Sequence, residues 1–199
     1  MEKLKNRFLG LCILLFCSCV NSYAQAQWDK EGSVYVNYDY GFSWVLDKDL
    51  DWQKTIGTER HTIFRAKNKE YQIIVFVNAQ RYNLEKSGLD IWKHYDFFFN
   101  LYSKEMVKLA ESKGFNHKLV TFEKTRLFGE NAIRIVSEKE PQEGNASSEP
   151  PTTQYTIRTF DHGLSYSLNI IVLTRIDKLF TKNDIHIDDL FNGFKFLAN

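Results

Sequence analysis

The residues that could carry chemistry are few and scattered. Five histidines, His61, His94, His117, His162 and His186, lie apart from one another. No two have the HExxH spacing that puts a pair of imidazoles on one helical face for zinc. His186-Ile187-Asp188-Asp189 offers an imidazole and two carboxylates to a hard or mixed metal, but acidic residues there also suit the positive end of a helix. Asp161-His162, with Tyr155 nearby, has the makings of an acid/base pair and equally of a turn between strands. Glu123 and Glu130 are expected to approach each other across a hairpin, as charges making up 26% of a chain will do. His94 and Asp96 fall on the wet side of an expected helix. GxSxG, GxxxxGK[ST] and GxGxxG are all missing from the sequence. The structural use is the simpler one in each case. No catalytic, cofactor-binding or metal-ligating residue is therefore assigned, and the chain is read as not an enzyme, with a hydrolase of scattered site as the remoter reading.

The first residues are expected to lie outside the folded part. Lys3, Lys5 and Arg7 precede the apolar run Phe8 to Val20, and small residues follow at Ser22, Ala24 and Ala26. That is the order of a secretory signal peptide, too short for a good membrane span. Residues 1–26 are read as the leader and 27–199 as one domain, with cleavage after Ala24 or, preferred, Ala26. Lipidation at Cys19 is a second reading, which Phe16 and Cys17 fit poorly. Cys12, Cys17 and Cys19 all leave with the leader, so no disulfide or thiolate site is expected in the mature chain. A periplasmic or secreted location follows. Loss of Lys3, Lys5, Arg7 and Glu2 from 26 basic and 25 acidic residues leaves 23 against 24. Near neutrality gives no electrostatic reason for a nucleic-acid partner.

The elements that would position any site are organised around Thr153 to Thr174. Leu164, Tyr166, Leu168, Ile170 and Val172 alternate with Ser165, Ser167 and Asn169, the period of a strand with one buried face. Ile171 and Leu173 then make the second face apolar too, which predicts a central strand covered by other elements. Asp161-His162-Gly163 is read as the turn of its hairpin. Upstream, Trp28 to Ser33 is expected to be a loose arm and Val34 to Tyr40 an optional edge strand. Phe42, Trp44 and Leu46 form the first firm strand, and Trp52 and Ile56 flank an irregular segment. His61 to Ala66 and Tyr71 to Ala79 pair, the latter with Ile73, Val75 and Val77 on one face. Ile91, Tyr95, Phe98, Tyr102, Met106 and Leu109 follow helical spacing, which predicts a deeply embedded helix between Asp90 and Gly114. A hairpin turning at Phe128-Gly129-Glu130-Asn131 is expected next, and Glu138 to Thr152 reads as a polar, mobile loop. Arg175 to Thr181 starts a loop or helical turn. A helix over Asp184–Phe191 and a strand at Phe194 to Phe196 close the chain.

The strand GFSWVL, the hairpins HTIFRAKNKEYQIIVFVNA and HKLVTFEKTRLFGENAIRIVS with a helix between them, the strand GLSYSLNIIVLT and the closing FNGFKFL together resemble the Mog1/PsbP-like family. The resemblance spans roughly Tyr40 to Asn199. It implies an α+β fold, a single-domain α/β/α sandwich with a central, mainly antiparallel sheet. Members of that family are accessory and protein-binding domains more than enzymes, so the implied role is a non-enzymatic secreted or periplasmic domain that binds another envelope or secreted protein. The alternative is a carrier of a small apolar ligand, held between the sheet and the Asp90–Gly114 helix.

Overall fold

The computed structural model of the chain describes residues 26–48, 50–56, 62–68, 72–81, 90–144, 149–161, 164–173 and 187–197. In chain order the strands are β1 (Ala26–Trp28), β2 (Val34–Asn37), β3 (Phe42–Val45), β4 (Trp52–Ile56), β5 (Thr62–Asn68), β6 (Ile74–Arg81), β7 (Phe115–Leu127), β8 (Glu130–Pro141), β9 (Thr152–Asp161), β10 (Leu164–Leu173) and β11 (Phe194–Phe196). An α-helix at Tyr95–Asn100, a π-helical turn at Leu101–Glu105 and an α-helix at Met106–Glu111 run on without a break and are labelled together α1; α2 is Ile187–Asn192. The class is α+β, with an antiparallel central sheet. The residues divide into two units, one of residues 1–45 with 194–199 and one of residues 46–193. Residues 1–25 of the expected leader, His61, Tyr71, His162-Gly163, the middle of the expected polar loop at residues 145–148, Arg175 to Thr181 and residues 184–186 of the expected last helix lie outside the described residues.

The larger unit is a seven-stranded sheet in the order β4-β5-β6-β10-β9-β8-β7. β10 stands at its centre, paired from Leu164↔Arg81 to Ile171↔Ile74 on one side and from Leu164↔Asp161 to Leu173↔Thr152 on the other. Nine of its ten residues are buried, as an apolar-on-both-sides pattern predicts. Trp52 to Ile56 is not irregular: it forms β4, opposite Asn68 to Phe64 of β5. Gln53 and Lys54 lie exposed beside buried Trp52, so the segment shows the mixed composition of an edge strand. Glu138 to Pro141 and Thr152 also belong to strands, Glu138 facing Thr153 and Lys139 facing Thr152, so the polar loop is shorter than its composition suggests. Polar residues on an outer strand face leave the same signature as a loop. The β7–β8 turn is a two-residue one, with Phe128 at φ 52° and Gly129 at φ 94°, the left-handed pair a tight hairpin requires.

Alternation along the paired strands gives this sheet two unlike faces. One carries Leu168, Ile170 and Val172 of β10, Val75 and Val77 of β6 and Ala66 of β5, all fully buried. α2 sits on that side, where Asp188 pairs with Arg134 of β8 at 2.9 Å. The other face meets α1, whose Phe98, with Ile91 just before it, packs on Ile133 and Ile135 of β8. Trp92 and Tyr95 fasten that end by donating to the carbonyls of Ala132 (2.8 Å) and Phe122 (2.8 Å). α1 is not deeply embedded along its length. Phe98 is its one buried aromatic residue, whereas Phe97, Phe99, Met106 and Leu109 are exposed.

The smaller unit is a four-stranded antiparallel sheet in the order β1-β2-β3-β11. The expected loose arm begins with the end of β1, which pairs with β2, and the Trp28 ring packs at a tilt of 59° against Tyr35, 5.4 Å away. Asp29 then accepts from the backbone N–H groups of Ser33 (2.7 Å) and Val34 (3.0 Å), fixing the turn. The closing strand is present as expected: Phe194 is fully buried, lies parallel to Phe42 at 5.2 Å and meets Trp44 edge-on at 5.9 Å.

Candidate functional site

The α1 face of the sheet changes character along its width. Toward β8 it is apolar, but under Tyr102 and Met106 the floor is made of polar side chains from β6, β9 and β10. Register fixes this: Ser167 lies between Asn78 and Arg158, and Asn169 lies between Phe76 and Thr156. Side chains of paired residues share a face, so Ser167 has polar neighbours on both sides and Asn169 has one polar neighbour, Thr156, and one apolar, Phe76. Above this floor opens a cleft of about 310 Å³.

Ser165, Ser167, Asn169 and Thr156 are all buried, and each would cost about 1–3 kcal/mol if left without a partner. A shared acceptor resolves most of this. The Asn169 amide oxygen receives Thr156 Oγ1 at 2.9 Å, Gln154 Nε2 at 3.1 Å and Ser167 Oγ at 3.3 Å, while Asn169 Nδ2 donates to the Ser167 carbonyl at 2.8 Å. Gln154 Nε2 also reaches Thr156 Oγ1 at 3.1 Å. The floor is therefore ordered before anything enters the cleft.

Arg158 is the charge in this floor. Its guanidinium lies over the Phe98 ring at 5.0 Å, and Nη1 makes only a long donation, 3.4 Å, to the Tyr102 hydroxyl. Its Nε is buried without a hydrogen-bond acceptor, and among the described residues no carboxylate pairs with the side chain. Tyr102 comes from the π-helical turn of α1, an irregularity that is frequent where a helix must re-aim a side chain at a site. None of the described residues lining the cleft is acidic.

A second recess of about 330 Å³ adjoins it, sharing Met106 and Gln154. Leu109, Phe115 and Ile171 give it apolar walls, and His117, Lys139 and Glu149 line its polar part. Burial pushes the His117 imidazole below its ordinary range, and its Nδ1 has no partner. Lys139 pairs with Glu149 at 2.8 Å and lies 3.7 Å from the centre of the Phe115 ring. The space between α1 and the sheet is thus apolar only in part, and its largest polar surface is the Arg158 floor.

Of the clusters singled out in the sequence, His162 and His186 lie outside the described residues, and the described members stand apart. Asp188 is held by Arg134. Asp161 is a strand residue opposite Leu164, and Tyr155 lies six residues back, opposite Ile170. Glu123 does not meet Glu130: it faces Arg134, while Glu130 faces Leu127, four positions along the ladder. His94 is half-buried at the start of α1 and Asp96 is exposed. Among the described residues no group of three or more His, Cys, Asp or Glu side chains could hold a metal ion. What sequence reasoning missed is Arg158 and the Asn169 network. The signal was available: a strand read as central and covered carries Ser165, Ser167 and Asn169 on its second face, and buried polar groups need partners.

α1 also carries exposed apolar side chains that the fold uses only in part, Phe97 meeting Phe98 edge-on at 5.3 Å and Phe99 meeting Phe122 edge-on at 5.4 Å. Phe97 is 63% exposed and Phe99 43%, with Leu109 and, on β7, Val120 each at 48%. Among the described residues no helix is long and apolar enough to cross a membrane.

No family model and no curated protein matches the chain. Solved structures do match in fold. The solution structure of cyanobacterial PsbP, CyanoP, from Synechocystis is similar with a TM-score of 0.58 and 10% identity, over 82% of this chain and 91% of that one. The Ran-binding protein Mog1p of Saccharomyces cerevisiae gives 0.48 at 10% identity, over 81% and 93%. A Bacteroides thetaiotaomicron protein gives 0.44 at 9% identity, over 80% of this chain and 46% of its own. At such identities the likeness to CyanoP is one of fold alone, an α+β fold with an antiparallel central sheet.

Proposed function

We propose that residues 27–199 form a non-enzymatic secreted or periplasmic accessory domain that binds another secreted or envelope protein through the outer face of α1. Large aromatic side chains that are neither buried nor paired with a charge mark an interaction surface when several share one element, and exposed Phe97 and Phe99 carry this reading. The fold shared with CyanoP supports it only as architecture. The order of charges, apolar run and small residues at the start of the chain supports export. Ala26 is paired with Asn37 in β1, so cleavage after Ala24 is the alternative that leaves that strand whole.

A photo-crosslinking residue placed at Asn100 tests the reading in producing cells, with the same residue at exposed Lys54 on β4 as the control. The expected result is one discrete heterologous adduct from position 100 and none from position 54, lost in the Phe97→Ser/Phe99→Ser variant. That variant should keep its stability to within about 0.5 kcal/mol per substitution, because both side chains are on the surface. An adduct that survives the double substitution, or none at all from a folded chain, would overturn the proposal.

A further inference from the structure

We infer that the cleft beneath α1 is a binding site for a small carboxylate that carries hydroxyl groups, the class of hydroxy acids and sugar acids, with Arg158 as its anchor. This is independent of the protein-binding surface, which lies on the outer side of the same helix. Arg158 brings one positive charge into a floor whose described residues are otherwise neutral, and Nε has no acceptor. One uncompensated guanidinium calls for one negative charge. A planar carboxylate matches its fork of donors and its single charge, where a phosphate dianion would bring a second charge with nothing to balance it.

The remainder of the site sets the body of the ligand. Phe98 stacks under the guanidinium at 5.0 Å and keeps it in place. Around it stand Gln80, Ser165 and the Asn78 amide nitrogen, which suit hydroxyl groups, while the Asn78 amide oxygen already accepts from Thr62 Oγ1 at 2.8 Å and Gln154 Nε2 already serves Asn169 and Thr156. Ser167, Thr156 and Asn169 are already engaged with one another and act as a rigid bed. A purely apolar ligand would strand these groups without water or partners. The volume, 310 Å³, lies at the small end of the range for small-molecule sites, about 300–1,000 Å³.

Calorimetry and amide NMR on the purified chain test this with glucuronate, glucose, lactate and inorganic phosphate as probes. Glucuronate is expected to bind with a Kd of about 1 mM or tighter, moving the amide signals of Ser165, Ser167 and Asn169. Glucose, the same ring without the carboxylate, should bind at least about tenfold more weakly, as should glucuronate to Arg158→Gln. Ser165→Ala, which leaves the charge in place, provides a second variant should Arg158→Gln fail to fold, and should weaken glucuronate severalfold. Several results would overturn the site: no saturable binding of either carboxylate, equal binding of glucose, phosphate binding as tightly as glucuronate, or signals moving elsewhere on the chain.

Discussion

The two faces of the seven-stranded sheet start from the same strands and end in different chemistry. On the α2 side β10 presents Leu164, Tyr166, Leu168, Ile170 and Val172, and burial of such side chains stabilises by area without regard to direction. There even the Tyr166 phenol is carried along, its burial and nearby Asp161 pushing its ionisation well up. On the α1 side the same strand presents Ser165, Ser167 and Asn169, where burial costs free energy unless every donor finds an acceptor. One face is specified by volume and the other by hydrogen-bond geometry. A protein that needed only stability would have had little use for the second, which is why the polar face is where binding is argued.

The contrast predicts different kinds of damage. Leu168→Ala, at a position with no exposure, should cost about 2–5 kcal/mol in urea unfolding, from lost transfer energy and an unfilled cavity. A cost below about 1 kcal/mol would mean that this face is loosely packed and the comparison is wrong. Asn169→Leu should cost less, about 1–3 kcal/mol, because it adds apolar volume but removes the acceptor shared by Gln154, Thr156 and Ser167. The same change made together with Thr156→Val and Ser167→Ala should recover most of that loss, since two of the three donors go with their acceptor and only the part-buried Gln154 amide is left without it. If Asn169→Leu alone is neutral, the network does not constrain the face. The recovered triple variant is also the cleanest background in which to ask whether ligand binding needs the rigid bed.

The apolar face was open to sequence reasoning in full and the polar one only in part, for a physical reason. Alternation of Leu164, Tyr166, Leu168, Ile170 and Val172 reports burial directly, and Ile73, Val75 and Val77 do the same for β6. Ser165 and Ser167 have the same composition whether they face water or a neighbouring strand. Only register decides, and register joins Asn78 to Ser167, far along the sequence, and Ser167 to Arg158. Helical spacing likewise found α1 but misjudged its depth. Phe97 and Phe99 widen the apolar stripe beyond what one face can bury, so extra aromatics signal an exposed surface rather than a deeper seat. β4 was missed because an edge strand and a loop share a polar composition, and the ends of β8 and β9 because they run into a polar connection.

The smallest effect expected concerns the edge of the polar face, where it meets the apolar recess. His117 stands on β7 opposite Lys139, with Lys113 and Glu149 as the other charged groups lining the recess. Burial lowers its pKa below the ordinary 6.5, so the folded chain holds the imidazole neutral where the unfolded chain would protonate it. The unfolded state therefore binds more protons as pH falls through the ordinary histidine range, and this contribution to stability is full above that range and lost below it. Wild-type protein should lose urea resistance between about pH 7.5 and pH 5.5, and His117→Gln should flatten part of that slope while leaving the value at the higher pH nearly unchanged. Identical slopes for the two proteins, or an NMR titration that places His117 above its ordinary pKa, would show that the recess is wet, and would move the boundary between the two kinds of face one strand inward.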